Sequence, residues 1–113
     1  MKIQGLYAAV AVRDFEVAVD WYSRLFGRLP DDRPMEGLVQ WRWGSAGVQI
    51  FKDEGKSGGG RMTLVTPVMA ETRRQLAEVG LEPEPDIKGD FGVIAQILDP
   101  EGNRVTLAEP PKT

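Results

Sequence analysis

Apolar and polar positions along this chain follow the same order twice. In the first half, an apolar run over 3–12 is typical of a buried strand. Apolar side chains then recur at three- and four-residue spacing over 15–26, which places them on one face of a helix. Asp14 precedes this helix as an N-cap, and Gly27 follows it where a C-terminal cap belongs.

Strands are predicted around 37–43 and 47–52, and they complete the first half. The second half repeats the same kinds of segment in the same order. Its predicted elements are a strand over 61–66, a helix capped by Thr66-Pro67 and ended by Gly80, and strands around 91–98 and 104–108. Both halves therefore read as strand, helix and two or three strands, which is an α+β pattern.

The chain has 113 residues, of which 42% are hydrophobic and 27% are charged. This length predicts one domain, 1–113, because it is too short for two independent cores. The two halves become modules of approximately 1–57 and 58–113, with Gly58-Gly59-Gly60 at the joint.

Charge and residue counts exclude several classes of protein. The net charge of −3 and the pI of about 5.0 do not suit a nucleic-acid-binding protein. No apolar run approaches the length that spans a bilayer, so no membrane partner is expected. The absence of cysteine is compatible with the cytoplasm, where we expect the protein. The absence of histidine removes the commonest general base and metal ligand.

The segment from Asp99 to Leu107 predicts a hairpin, because Pro100, Gly102 and Asn103 favour a tight turn before an alternating strand. This hairpin resembles the closing hairpin of the vicinal oxygen chelate superfamily, which includes glyoxalase I, extradiol dioxygenases and bleomycin-resistance proteins. Two further segments, 10–15 and 21–27, resemble the opening strand and first helix of that superfamily. The resemblance implies two βαβββ modules that form a curved, incompletely closed mixed sheet, with helices outside and a cleft inside.

The resemblance also identifies the positions that hold a metal in the metalloenzymes of the superfamily. They fall on Tyr7, Gln49, Arg61 and Thr106. A phenol, an amide, a guanidinium and a hydroxyl are poor ligands for Fe²⁺, Mn²⁺, Zn²⁺ or Ni²⁺. We therefore expect no metal site, no other cofactor and no catalytic residue at these positions.

Strand alternation predicts which side chains line the cleft. Tyr7 shares its strand face with two alanines, which leave room for a ligand, and Trp41 and Trp43 project from one face of their strand. The predicted ligand-binding residues are Tyr7, Trp41, Trp43, Gln49, Phe51, Arg61, Thr63 and Thr106. An apolar cavity with a few convergent polar groups is the usual form of a small-molecule site.

Other roles for these residues remain open at this point. Tyr7 and Gln49 could be buried polar groups that bond to each other or to the backbone. Trp41 and Trp43 could lie in a dimer interface or in the core. An inward Arg61 could hold a carboxylate or phosphate, and a surface salt bridge is its main alternative role.

The favoured function is a non-enzymatic small-molecule-binding protein of the glyoxalase/bleomycin-resistance type. The resemblance implies that it sequesters an antibiotic or another aromatic ligand and that it forms a homodimer. One alternative is a lyase, isomerase or dioxygenase-like enzyme with an atypical site. The other is a structural or regulatory dimer module without a ligand.

Overall fold

A computed structural model of the chain describes residues 1–112, so Thr113, the last residue of the predicted second module, lies outside the described range. The first module contains β1 (Leu6–Val12), α1 (Phe15–Phe26), β2 (Asp32–Met35), β3 (Leu38–Trp43) and β4 (Ala46–Lys52). A single 3₁₀ turn, Glu54–Lys56, follows it. The second module contains β5 (Arg61–Val65), α2 (Met69–Glu78), β6 (Ile87–Gly89), β7 (Gly92–Leu98) and β8 (Arg104–Glu109).

Each module forms a four-stranded mixed sheet of the same topology. The strand orders are β1-β4-β3-β2 and β5-β8-β7-β6. The first strand of each module pairs in parallel with its last strand, and the other neighbours are antiparallel. The predicted α+β fold with two βαβββ modules is confirmed, and the strands of residues 1–112 divide between two sheets. No helix in this part of the chain has the length and hydropathy to cross a membrane.

Helix α1 begins and ends where the sequence predicts. The carboxylate of Asp14 accepts a hydrogen bond from the N–H of Val17 at 3.3 Å, which caps the first turn. Gly27 closes the helix in the left-handed conformation, with φ of 74°. The buried face carries Ala18, Val19 and Tyr22, as the three- and four-residue spacing predicts.

Helix α2 does not begin at the predicted cap. It starts at Met69, with Val68 at the N-cap position and no hydrogen bond from the Val68 side chain. The carboxylate of Glu109 accepts the N–H of Met69 at 2.7 Å instead. The prediction of a Thr66-Pro67 cap was wrong, because a residue forty positions away on β8 supplies the missing acceptor.

The core is one contiguous cluster of buried side chains from both modules. It includes one face of each sheet together with the inner faces of α1 and α2. The largest fully buried side chains are those of Trp41 and Tyr22. The opposite face of each sheet is left open, and these two faces carry most of the predicted ligand-binding residues.

Candidate ligand-binding site

The two open sheet faces have different chemistry, so we name them separately. The amide face belongs to the first sheet and is formed by Tyr7, Ala9, Gln40, Gln49 and Phe51. The basic face belongs to the second sheet and is formed by Arg61, Thr63, Gln96, Arg104 and Thr106.

On the amide face, the ring of Tyr7 lies against Gly47. Tyr7 and Gly47 are register partners on β1 and β4, and a Cβ on Gly47 would lie 2.5 Å from the Tyr7 ring. Glycine is therefore the residue that lets the ring pack down on the sheet. Tyr7 is still 38% exposed, so part of its aromatic ring is available to a ligand on this face.

A row of amide side chains crosses the same face beside Tyr7. The side-chain nitrogen Nε2 of Gln49 donates to the side-chain oxygen Oε1 of Gln40 at 3.0 Å. The Nε2 of Gln40 in turn donates to the Asp32 carboxylate at 3.0 Å. Asp32 in turn forms an ion pair of 3.0 Å with Arg42. Gln49 thus bonds to Gln40, not to Tyr7, and the row is fixed in orientation. A hollow of about 620 Å³ adjoins it, lined by Ala9, Met35, Glu36, Gly37, Leu38, Gln49, Phe51 and Lys52.

On the basic face, two arginines and two threonines occupy adjacent rows. Arg61 is the register partner of Arg104, and Thr63 is the register partner of Thr106. The Arg104 guanidinium donates a hydrogen bond to the side-chain oxygen Oε1 of Gln96. The side-chain nitrogen Nε2 of Gln96 lies 3.5 Å from the Thr106 hydroxyl. Arg104 is therefore held in place by its neighbour, while Arg61 is exposed.

The four positions that the resemblance aligned with metal ligands have equivalent places in the two modules. In the first sheet, Tyr7 pairs with Gly47, which lies two residues before Gln49 on β4. In the second sheet, Arg61 pairs with Arg104, which lies two residues before Thr106 on β8. The two pairs therefore occupy equivalent places in the two modules, and their alignment with the metal-ligand positions stays a prediction. Within one chain they are divided between the two faces, so the structure does not bring them together at a single point.

Trp41 and Trp43 lie on the other side of the first sheet from the amide face. The assignment of Trp41 to the ligand cleft is corrected, whereas that of Trp43 stays a prediction, because Trp43 lines a separate hollow of about 590 Å³ together with Thr63. Trp41 is fully buried in the core, and its indole N–H donates to the carbonyl oxygen of Arg28 at 2.9 Å. Trp43 is 43% exposed and packs edge-on against Phe26, with the Arg28 guanidinium 5.1 Å from its ring. Alternation fixed both residues on one face of β3, and the helix α1 covers that face.

Sequence reasoning missed Gln40 and Gln96, which extend the two faces. A signal was present at Gln40, because it alternates with Trp41 and Trp43 and must project from the opposite side of β3. Gln96 alternates in the same way with the buried Ala95 and Ile97 on β7.

The donors on these faces do not fit a divalent transition metal. Within residues 1–112, no three carboxylate side chains gather as a metal-binding group, and the sequence has no histidine or cysteine. An arginine beside Thr106 would repel a cation, and neutral amides and hydroxyls are weak ligands for these ions. The chemistry these side chains supply is hydrogen bonding, aromatic contact and positive charge.

Comparison with known proteins identifies relatives by structure. No protein-family model matches the sequence, and no curated protein matches it either. A glyoxalase/bleomycin resistance protein from Catenulispora acidiphila DSM 44928 is 28% identical, with a TM-score of 0.88 over 95% of this chain and 98% of that chain. The similarity covers nearly all of both chains.

Two further structures share the fold at lower identity. TnmS3, an antibiotic-binding protein from Streptomyces sp. CB03234, is 24% identical with a TM-score of 0.79, over 98% of this chain and 97% of that one. A bleomycin resistance determinant encoded on the transposon Tn5 is 21% identical with a TM-score of 0.78, over 94% and 97% of the two chains. Given its two repeated βαβββ modules and this shared architecture, the chain has the glyoxalase/bleomycin-resistance fold that the resemblance to the vicinal oxygen chelate superfamily predicts.

Proposed function

We propose that this protein binds and sequesters a small molecule with a flat aromatic part, without a metal. The observation that carries the proposal is the partly exposed ring of Tyr7, packed against Gly47 on an open sheet face. The amide row of Gln49 and Gln40 lies beside it with a fixed orientation. An aromatic surface next to a few oriented polar groups suits recognition of a planar ligand.

The types of side chain on the two faces favour binding over catalysis. Glutamine, threonine and arginine hydrogen-bond a ligand without exchanging protons near neutral pH. A general base would need a carboxylate or histidine within hydrogen-bond reach of the ligand. Asp32 on the amide row is already engaged with Gln40 and Arg42, and Glu36, the carboxylate that lines the adjoining hollow, is exposed to solvent. Solved structures of the same fold include an antibiotic-binding protein and a bleomycin-binding protein, which supports the same kind of function here.

We propose further that a second copy of the chain completes the cleft. Within residues 1–112, strands β1 and β5 each pair with one neighbouring strand, so each has an edge without a strand partner, and on β1 the Asn103 amide nitrogen donates to the Ala11 carbonyl oxygen at 3.2 Å. Leu6 on β1 is 76% exposed and Val65 on β5 is 71% exposed, although both are large apolar residues. A free edge with exposed apolar side chains is suited to pairing with another chain. Pairing at these edges would bring the amide face of one protomer opposite the basic face of its partner.

Calorimetric titration with bleomycin, an anthracycline and a phenazine carboxylate tests the binding function, because this series includes cationic and anionic aromatic compounds. We expect saturable binding of at least one compound, and Tyr7→Ser should weaken it about five- to tenfold, because a lost aromatic contact costs about 1 kcal/mol. Leu29→Ser removes an exposed apolar side chain outside both faces and serves as the control. No saturable binding in the whole series, or equal effects of the two variants, would contradict the proposal. Calorimetry is preferred to tryptophan fluorescence because Trp41 and Trp43 lie away from the amide face.

Light scattering after size-exclusion chromatography tests the dimer. The wild type should have the mass of two chains, and Val65→Lys should shift it towards one chain, because a lysine would be buried at the interface. Val17→Lys places the same charge on the exposed side of α1 as a control. A wild type with the mass of one chain at micromolar concentration would refute the shared cleft.

The cytoplasmic location expected from the cysteine-free sequence stays a prediction.

A further inference from the structure

We propose that Arg61 and Arg104 form an anion-binding site, so that the ligand is an aromatic molecule carrying a carboxylate, sulfonate or phosphate group. This inference rests on the proposed function, because it specifies the charge of the molecule bound in the same cleft. It concerns the basic face, whereas the aromatic contact is on the amide face.

The placement of the two arginines is unfavourable without a counter-ion. They are register partners on adjacent parallel strands, whose backbones lie about 4.8 Å apart. Both side chains project from the same open face of the sheet. Like charges directly opposite each other on neighbouring strands destabilise a sheet. A sequence with a net charge of −3 nevertheless places two positive charges side by side here.

No carboxylate of the described residues neutralises this pair. Neither Arg61 nor Arg104 forms an ion pair within residues 1–112. Their neighbours on the basic face, Thr63, Thr106 and Gln96, are uncharged. Five other arginines do pair with an acid, and these are Arg24, Arg28, Arg42, Arg73 and Arg74. The positive charge of the basic face therefore stays without a carboxylate partner, whereas a carboxylate neutralises most of the other arginines in the described residues.

The surrounding groups suit the recognition of an oxyanion. Arg104 is oriented by its hydrogen bond to Gln96, so little side-chain freedom is lost when it binds. Arg61 is exposed and free to close onto the same anion. The hydroxyls of Thr63 and Thr106 lie in the next row and can donate to it. Guanidinium groups bind carboxylate, sulfonate and phosphate oxygens through two parallel hydrogen bonds.

Two fluorescent probes that differ by one charged group test this inference on the intact protein. 8-Anilinonaphthalene-1-sulfonate carries a sulfonate, and N-phenyl-1-naphthylamine has the same rings without it. We expect the sulfonate probe to bind at least tenfold more tightly, a difference of about 1.4 kcal/mol. Arg61→Gln should remove most of that difference, because it weakens binding of the sulfonate probe far more than binding of the neutral probe.

Matched variants separate a specific site from the general charge of the protein. Arg74→Gln removes the same charge from the exposed side of α2 and should leave the ratio of the two affinities unchanged. Arg61→Lys keeps the charge without the paired N–H groups and should lie between the wild type and Arg61→Gln. Equal binding of the two probes, or an Arg61→Gln variant with the wild-type ratio, overturns the anion site and leaves the proposed function standing. Failure of both probes to bind refutes the cleft as well.

Discussion

The phenol of Tyr22 donates a hydrogen bond of 2.8 Å to the carboxylate of Asp99, and both side chains are buried. Tyr22 lies on α1 in the first module, and Asp99 begins the β7–β8 turn in the second. Burial, together with the charge of Asp99, raises the pKa of Tyr22 well above its usual value. The phenol therefore keeps its proton and remains the donor in this link between the modules.

Removing the Tyr22 hydroxyl should destabilise the whole chain. In Tyr22→Phe, the buried Asp99 carboxylate loses one donor, and we expect a loss of about 1–3 kcal/mol in the free energy of unfolding. Urea denaturation followed by circular dichroism measures it. Tyr7→Phe is the matched control, because Tyr7 is partly exposed and its hydroxyl should cost almost nothing to remove. Similar unfolding midpoints for the two variants would show that the link does not stabilise the fold.

A second link between the modules predicts a pH dependence. The Glu101 carboxylate accepts the N–H groups of Arg13 and Asp14 at 2.5 and 2.7 Å. Desolvation opposes its ionisation, but these two hydrogen bonds hold the pKa of Glu101 below its usual value of 4.5. Since the folded pKa is depressed, the stabilisation is present above about pH 4.5 and is lost as the pH falls through the folded pKa.

Glu101→Gln should therefore be less stable than the wild type at pH 7, by about 1 kcal/mol, as for the loss of a helix cap. The difference should shrink as the pH falls below 4.5 and vanish once Glu101 is protonated in both states. Thermal unfolding at a series of pH values measures this. Glu82→Gln is the control, because Glu82 is exposed in the loop after α2. A difference that stays constant from pH 7 to pH 3 would exclude the carboxylate as its source.

The features predicted correctly from the sequence are those fixed by nearby residues. Helix α1 carries its own cap at Asp14 and its own stop at Gly27. The turn after Asp99 is likewise local, because the Asp99 carboxylate accepts the N–H groups of Glu101 and Asn103. The start of α2 depends on Glu109 on another strand, and local pattern could not reveal that partner.

The candidate site was predictable in part for the same reason. Alternation assigned Gln49 with Phe51, and Arg61 with Thr63, to common faces, and the strand registers agree. Alternation does not say which face of a strand a helix will cover. Trp41 was therefore assigned to the cleft although it lies in the core. The sequence also could not show that the predicted site residues of one chain are divided between the amide face and the basic face.

Gly47 should be intolerant of a side chain. A Cβ there would lie 2.5 Å from the Tyr7 ring and 2.6 Å from the backbone oxygen of Trp41. The ring could move, but the backbone oxygen could not, so Gly47→Ala should cost about 1–3 kcal/mol through local overpacking. Gly89→Ala is a matched control, because its Cβ would meet only the exposed ring of Phe91. Urea denaturation should show a larger loss for Gly47→Ala, and the reverse order would refute the backbone clash.

We expect no stoichiometric uptake of Mn²⁺, Ni²⁺ or Zn²⁺ at micromolar concentration. Amide, phenol and hydroxyl oxygens bind these ions weakly, and the guanidinium of Arg61 repels them. Thr106→Glu would add one carboxylate in the row next to Arg61, which would attract it as an ion partner. This variant should also fail to bind metal. Calorimetry and elemental analysis measure both proteins, with any polyhistidine tag removed because the tag itself binds these ions. One tightly bound ion per chain in the wild type would mean that side chains other than those of Tyr7, Gln49, Arg61 and Thr106 supply the ligands.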